Sequence, residues 1–139
     1  MFRLSLTIVC LMYSALAHAN CPALLDQQFS PLKGGEKQSL CQYRGKVLLV
    51  VNTASYCGNT PQYKGLQALH QKYAGRGLAV IGFPSNDFGR QEPGSATEIA
   101  EFCERTYQVS FPMYEKSSVS LFQWHKRLKR SRVSNGMRG

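Results

Sequence analysis

The strongest constraint on the fold is a run of five apolar residues at positions 47–51. A continuous apolar run of this length predicts a strand that is buried on both faces, as in a parallel sheet. Small and polar residues follow, and then come Thr60, which is a good helix cap, and Pro61, which is tolerated in the first turn of a helix. The pattern predicts a strand, a short loop and a helix, and it places Cys57 in the loop.

A second apolar run at residues 78–83 predicts a second buried strand, which ends at Pro84. Between the two runs, apolar side chains recur at the spacing of one helix face: Tyr63, Leu66, Leu69 and Tyr73. Two strands joined by one amphipathic helix form a βαβ unit, so the strands are expected to run parallel. The predicted fold class is therefore α/β.

The carboxyl edge of this predicted sheet is the expected functional site. Chemistry in a parallel sheet gathers at that edge, where Cys57 and the polar loop at residues 85–94 both lie. The N–H groups and the positive dipole of a helix N-terminus favour a thiolate at Cys57. The alternative is a structural cysteine buried in the loop. His70 is expected to be a surface or half-buried helix residue and not a catalytic base.

The flanking segments predict smaller elements. Gly34 and Gly35 predict the turn of an opening hairpin. Ser95 and Glu98 have the spacing of a capping box, which begins another helix. Cys103 falls on the apolar face of that helix, where a small core residue is the default. Pro112 predicts that residues 109–114 form a short strand that bends or lies at an edge of the sheet.

The N-terminus has the pattern of a signal peptide at residues 1–19. Arg3 precedes an apolar run too short to span a bilayer, and Ala17 and Ala19 are the small residues that a signal peptidase reads. We therefore expect export, to the periplasm or out of the cell, and no stable membrane association; the alternatives are an uncleaved anchor or an unusual cytosolic N-terminus. In such an oxidising compartment Cys21 and Cys41 either form a disulfide or stay reduced.

The formal net charge of +9 is concentrated at the C-terminus. Six of the 17 basic residues lie in the last 14 positions, with no acidic residue among them. The other 125 residues carry eleven basic and eight acidic side chains, a net charge of +3. We predict a domain at residues 20–124 and a basic divergent tail at 125–139. Nucleic-acid binding is not expected, because the tail lacks interleaved aromatic residues. A zinc site is not expected either, because no His/Cys cluster has metal-ligand spacing.

Four segments, in order, resemble the glutathione peroxidase family. Residues 51–63 (VNTASYCGNTPQY) resemble its active-site signature, and residues 82–94 (GFPSNDFGRQEPG) resemble its second signature. Residues 99–103 (IAEFC) and 111–116 (FPMYEK) continue the match. The resemblance implies a thioredoxin-like fold, with a central mixed sheet flanked by helices. It also implies reduction of hydrogen peroxide or organic hydroperoxides, as in the response to oxidative stress. The family's oligomerisation loop is not found after Lys116, which favours a monomer.

The resemblance implies roles for individual residues. Cys57 matches the peroxidatic cysteine, and Gln91 matches a glutamine that stabilises the thiolate and the leaving oxygen. No prosthetic cofactor is implied, and the reducing co-substrate is a thiol, either glutathione or a thioredoxin-like protein. Cys103 lies near the family's resolving position and is the candidate resolving cysteine, with core packing as the alternative. Ser85 stands where many relatives have another cysteine.

Two features depart from the family pattern. The sequence has no Trp-Asn-Phe motif, and its only tryptophan, Trp124, is followed by His125. The stretch from His125 resembles no part of the family, so we expect a sheet that lacks its last strands, as in a truncated or frame-shifted reading frame. The alternative to a peroxidase is then an inactive thioredoxin-fold remnant. A thiol–disulfide oxidoreductase is disfavoured, because no cysteine lies three residues from Cys57.

Overall fold

The computed structural model describes residues 21–119 of the 139-residue chain. The predicted signal peptide at 1–19, Trp124 and the basic tail at 125–139 lie outside the described residues, and these assignments stay predictions. The predicted domain at 20–124 is described over residues 21–119.

The described part of the chain begins with the predicted hairpin. Strand β1 (Gln28–Phe29) pairs with β2 (Gln38–Ser39) in antiparallel register. A 3-10 helix (Leu40–Tyr43) follows directly. A disulfide joins Cys21 to Cys41, whose Cα atoms are 5.6 Å apart, and it ties the start of the described chain to this 3-10 helix.

The predicted βαβ unit is confirmed. Strand β3 (Val47–Thr53) leads through a 3-10 helix (Thr60–Gln62) into helix α1 (Tyr63–Tyr73). A second 3-10 helix (Ala74–Arg76) ends at Gly77, whose φ of 90° is in the left-handed region that glycine favours. Strand β4 (Leu78–Pro84) then pairs with β3 in parallel. The register runs from Val47 opposite Leu78 to Thr53 opposite Pro84.

Helix α2 (Ala96–Tyr107) begins at the predicted capping box. The backbone N–H of Glu98 donates to the Ser95 hydroxyl, and the Glu98 carboxylate accepts from the Ser95 N–H at 2.7 Å. The reciprocal bonds satisfy two of the free donors at the helix start. At the other end, Gln108 takes a left-handed φ of 54° and donates to the Glu104 carbonyl.

Two apolar clusters pack against β4, one on each face. The helix-side core lies between the sheet and both helices and consists of Leu32, Tyr63, Val80, Ile99, Ala100, Cys103 and Phe111. The hairpin-side core lies on the opposite face and consists of Leu40, Tyr43, Ala79, Ile81, Phe83 and Tyr114. Strand β4 is thus buried on both faces, as its apolar run predicts.

The same prediction was wrong for β3. The side chains of Val47 and Val50 are 70% and 54% exposed. Within residues 21–119, β3 pairs only with β4, and neither core covers these two side chains. An apolar run indicates a strand, but the packing of the other elements decides which of its faces are covered.

The buried face of α1 is also rotated from the predicted one. Leu69 is 40% exposed, whereas Gln67 is buried. The Gln67 side chain donates to the Ser110 hydroxyl at 2.8 Å and accepts from the Ser110 backbone N–H at 2.9 Å. This pair of hydrogen bonds connects α1 to the segment after α2, so a polar residue occupies a position facing the core.

Residues 109–114 do not form the expected edge or bent strand. This segment lies between β4 and residues 30–32, where isolated bridges join Gly82 to Met113 and Pro31 to Tyr114. The Gly82 N–H donates to the Pro112 carbonyl at 2.9 Å. Pro112 contributes only its acceptor to these contacts, so its missing N–H does not require an edge position.

None of the helices described within residues 21–119 has the length and apolar character needed to cross a membrane.

Replacing the buried glutamine tests this link between α1 and the segment after α2. Gln67→Ala is expected to lower the free energy of unfolding by about 1–2 kcal/mol, because the Ser110 N–H loses its acceptor. Gln71→Ala, at an exposed position on the same helix, is the matched control and is expected to change stability by less than about 0.5 kcal/mol. Urea unfolding measures both variants, and equal effects would contradict the proposed link.

Candidate active site

The Cys57 thiol lies in the loop that connects β3 to α1, as predicted. Its sulfur accepts a hydrogen bond from the backbone N–H of Asn59 at 3.4 Å. The Cys57 side chain is partly exposed and is not part of either core. The structure therefore presents a thiol to solvent beside a backbone donor, and the alternative of a buried structural cysteine does not describe this position.

Thr60 holds this loop in place and does not act as the predicted helix cap. Its hydroxyl accepts from the Cys57 backbone N–H at 3.0 Å. It also lies 2.6 Å from the Cys57 carbonyl and 2.9 Å from the Ala54 carbonyl, and it donates to one of them. The buried hydroxyl fixes the backbone on both sides of the cysteine, a role that its sequence position before Pro61 did not reveal.

Gln91 is brought to the same loop by backbone pairing. The Tyr56 N–H donates to the Gln91 carbonyl at 3.0 Å. The turn before Gln91 places Gly89 and Arg90 in the left-handed region, with φ of 63° and 56°. A left-handed φ is uncommon for a residue such as arginine, and here it reverses the chain so that Gln91 lies beside the residue before Cys57.

Cys57 and Gln91 line one cavity of about 390 Å³ at the carboxyl edge of the sheet. The β3 end contributes Asn52 and Thr53, and α1 contributes Tyr63 and Leu66. Phe88 also lines the cavity although its side chain is 57% exposed. The sequence predicted the edge and the two polar side chains, whereas the aromatic and apolar walls follow only from the packing of α1 and the 85–94 loop.

Cys103, the third predicted site residue, lies elsewhere. Its side chain is 2% exposed within the helix-side core, and it does not line the cavity with Cys57. Burial raises the pKa of the Cys103 thiol, and the neighbouring Tyr63 hydroxyl lowers it in part. His70 is half-buried, packs against Phe111 with ring centroids 6.1 Å apart, and also lies outside the cavity lining.

A buried carboxyl group directly follows Gln91. The Glu92 side chain is 0% exposed, and no group among the described residues hydrogen-bonds to its carboxylate oxygens. Burial raises the pKa of Glu92, while the nearby Ser55 hydroxyl and N–H and the more distant Lys116 partly offset this effect. The sequence pattern predicted no role for Glu92, because the family resemblance assigned a role only to the preceding residue, Gln91.

The described residues give no support for a metal centre at this edge. Within residues 21–119, the one group of three potential metal ligands is Cys21, Asp26 and Cys41. Both of its thiols belong to the disulfide, and a disulfide sulfur is not the thiolate that a metal binds.

Solved structures share this architecture. MTB dsbF in its mixed oxidized and reduced forms matches with a TM-score of 0.57 at 16% identity, covering 77% of this chain and 73% of that one. Trgpx in apo form matches with a TM-score of 0.50 at 32% identity, covering 78% of this chain and 66% of that one. The fold and the site define a thioredoxin-fold α/β protein with a thiol at the carboxyl edge of its sheet.

Sequence comparison narrows this class to a family. Residues 25–127 match the sequence profile of glutathione peroxidase, so the chain belongs to the glutathione peroxidase family. It is 57% identical over 88 residues to the glutathione peroxidase-like peroxiredoxin gpx1 of Schizosaccharomyces pombe, covering 63% of this chain and 56% of that protein. It is 56% identical over 86 residues to the hydroperoxy fatty acid reductase gpx1 of Synechocystis sp., covering 62% and 51% respectively. The chain spans about half the length of these relatives.

The contributions of two glutamates near the site to the stability of the fold are expected to change in opposite directions as pH rises. Because the folded state raises the pKa of Glu92 above its ordinary 4.5, its contribution to stability is complete below that value and is lost as pH rises. Glu92→Gln is therefore expected to gain stability relative to the native sequence between about pH 4 and pH 7.5.

Glu98 is the matched control. The Ser95 N–H and hydroxyl lower its pKa, so its contribution is present at neutral pH and is lost as pH falls through the lowered value. Glu98→Gln is expected to lose stability relative to the native sequence over the same rise in pH. Urea unfolding at about pH 4 and about pH 7.5 measures the stability of each variant relative to the native sequence. A change of the same sign in both variants would contradict the opposite pKa shifts of Glu92 and Glu98.

Proposed function

We propose that this protein is a thiol-dependent peroxidase that reduces hydrogen peroxide or organic hydroperoxides at Cys57. The observation that carries the proposal is the cavity that Cys57 shares with Gln91, together with the Asn59 N–H directed at the sulfur. Membership of the glutathione peroxidase family supports the same reaction. A hydroperoxy fatty acid reductase among the relatives makes organic hydroperoxides the first substrates to test.

The first step is an attack of the Cys57 thiolate on the terminal oxygen of the hydroperoxide. The S–O bond forms as the O–O bond breaks, which leaves a sulfenic acid on Cys57 and an alkoxide that takes up a proton. The Asn59 N–H stabilises negative charge on the sulfur before the attack. The Gln91 side chain supplies an amide N–H that donates to the sulfur or to the leaving oxygen without itself titrating.

The second step returns Cys57 to the thiol. A reducing thiol attacks the sulfenic sulfur and releases water, and a second thiol then displaces Cys57 from the mixed disulfide. Glutathione and a thioredoxin-like protein are the two proposed donors. Cys103 is the internal alternative, although its burial in the helix-side core requires local opening of α2 before the two sulfur atoms can meet.

We also propose that the protein acts as a monomer after export. The disulfide between Cys21 and Cys41 supports an oxidising compartment, because such bonds persist in the periplasm and outside the cell and are rare in the cytosol. The apolar run at the N-terminus supports the same route.

Peroxide consumption by the purified full chain tests the proposed activity. Hydrogen peroxide and cumene hydroperoxide are supplied with glutathione or thioredoxin as donor. Cys57→Ser is expected to abolish turnover, because a hydroxyl at this position is not ionised and does not attack the O–O bond. Gln91→Glu keeps the shape but loses the N–H donor, and it is expected to lower the rate by about 100-fold.

Gln71→Ala, on the exposed side of α1 and outside the cavity, is the control and is expected to keep the native rate. A folded native protein without turnover would refute the peroxidase and support the alternative, an inactive thioredoxin-fold remnant. Circular dichroism and a thermal melt establish folding in the same samples. Turnover that survives in Cys57→Ser would place the reaction at another residue.

A further inference from the structure

Phe88 is an exposed aromatic residue at the cavity that contains the Cys57 thiol. It lines the same 390 Å³ cavity as Cys57 and Gln91, although it is 57% exposed. The other apolar residues that line this cavity are partly or fully buried: Val51, Ala54, Tyr63 and Leu66. A single exposed apolar residue is ordinary on a protein surface, so the feature to explain is the position of Phe88 at the cavity and not its exposure alone.

Hydrogen bonds hold the backbone on both sides of Phe88. On the N-terminal side, the Asp87 carboxylate accepts from the Ser118 hydroxyl and from the Val119 N–H, both at 2.7 Å. On the C-terminal side, the Gln91 N–H donates to the Phe88 carbonyl at 3.3 Å and closes the turn. The position of Phe88 at the cavity is therefore fixed by contacts with other parts of the fold.

The same turn places Phe88 near the Gln91 amide. The Gly89 backbone lies against the Gln91 side chain, since a Cβ atom added to Gly89 would be 3.8 Å from the amide nitrogen. Phe88 directly precedes this contact in the chain. A hydroperoxide whose oxygen atoms lie between the Cys57 sulfur and the Gln91 amide would therefore have its organic group within reach of Phe88.

The cavity is lined by uncharged side chains. Besides the apolar residues and Cys57, its lining consists of neutral polar residues: Asn52, Thr53, Asn59, Thr60, Gln62 and Gln91. Within residues 21–119, no aspartate, glutamate, lysine, arginine or histidine lines it. An ionic head group would find no opposite charge there, whereas an alkyl or aryl group would find apolar side chains to contact.

We propose that Phe88 determines the peroxide specificity of the site, because its ring contacts the alkyl or aryl group of an uncharged organic hydroperoxide while Cys57 attacks the O–O bond. The proposal rests on the proposed peroxidase function. Hydrogen peroxide has no organic group, so its reduction does not use this contact. A contact with the organic group alone changes the ratio of kcat/KM between the two kinds of peroxide.

The values of kcat/KM for cumene hydroperoxide and for hydrogen peroxide test the proposal in the purified full chain. Phe88→Ala is expected to lower kcat/KM for cumene hydroperoxide about ten-fold, because the aryl group loses an apolar contact. The same variant is expected to change kcat/KM for hydrogen peroxide by less than about two-fold. Phe88→Leu keeps an apolar side chain and is expected to retain most of the preference for cumene hydroperoxide.

Leu24→Ala is the matched control, because Leu24 is 75% exposed and does not line the cavity. It is expected to leave both values of kcat/KM unchanged. An equal loss for both peroxides in Phe88→Ala would overturn the proposal, since it would show that Phe88 only holds Gln91 in position. An unchanged ratio of the two values in Phe88→Ala would overturn it as well.

A second measurement needs no peroxidase activity. N-ethylmaleimide and N-phenylmaleimide both alkylate the Cys57 thiol, and only the second reagent carries an aryl group. Phe88→Ala is expected to lower the ratio of the phenyl to the ethyl rate about five-fold relative to the native sequence, whereas Leu24→Ala is expected to leave this ratio unchanged. Mass spectrometry of the Cys57 peptide gives the rates.

The two measurements separate failure of the contact from failure of the proposed function. The same maleimide ratio in Phe88→Ala and in the native sequence would overturn the contact between Phe88 and an aryl group at Cys57. If the folded native protein turns over neither peroxide, the proposed peroxidase function fails and the proposed peroxide specificity fails with it. The maleimide ratio would then still decide whether Phe88 contacts an aryl group bound at Cys57.

Discussion

Parallel pairing of β3 with β4 is the interaction on which the rest of the structure depends. The register from Val47–Leu78 to Thr53–Pro84 makes both strands end at the same level. The chain therefore leaves the sheet twice at one edge, once towards Cys57 and once towards Gln91. Further backbone bonds continue the pairing into the loops, from the Ser85 N–H to the Thr53 carbonyl and from the Tyr56 N–H to the Gln91 carbonyl. The cysteine and the glutamine are neighbours because the backbone is paired on both sides of them.

Burying the polar side chains behind this edge costs more free energy of folding than burying apolar side chains there would. Within residues 21–119, several buried polar atoms of the site have no hydrogen-bond partner: the Thr53, Ser55 and Tyr63 hydroxyls and both carboxylate oxygens of Glu92. Such groups usually cost stability. Their concentration directly behind the Cys57 loop is typical of functional sites, where a fold tolerates local losses that packing elsewhere offsets. The two apolar cores on either face of β4 provide that packing.

Sequence patterns predicted the elements better than their surroundings. The two apolar runs, the helical repeat between them and the Ser95–Glu98 capping box each depend on residues close in the chain, and all four elements are present. The predictions that were wrong concern which side of an element is covered by the rest of the chain. Contacts with segments that are distant in the chain determine that Val50 is exposed, that Gln67 is buried and that Pro112 does not lie at an edge. Local periodicity carries no information about which distant segment covers a given side chain.

The sequence by itself determined that this chain is an α/β protein of the glutathione peroxidase family with a cysteine before a helix, because strand and helix periods and long motifs are local properties. Only the tertiary structure decided that Thr60 fixes the cysteine loop, that Glu92 is buried, and that Tyr63 lines the Cys57 cavity while belonging to the helix-side core. These features depend on how α1, α2 and the 85–94 loop pack around the sheet edge. Packing of this kind results from the sum of many weak contacts between residues far apart in sequence, and no single stretch of the chain encodes it.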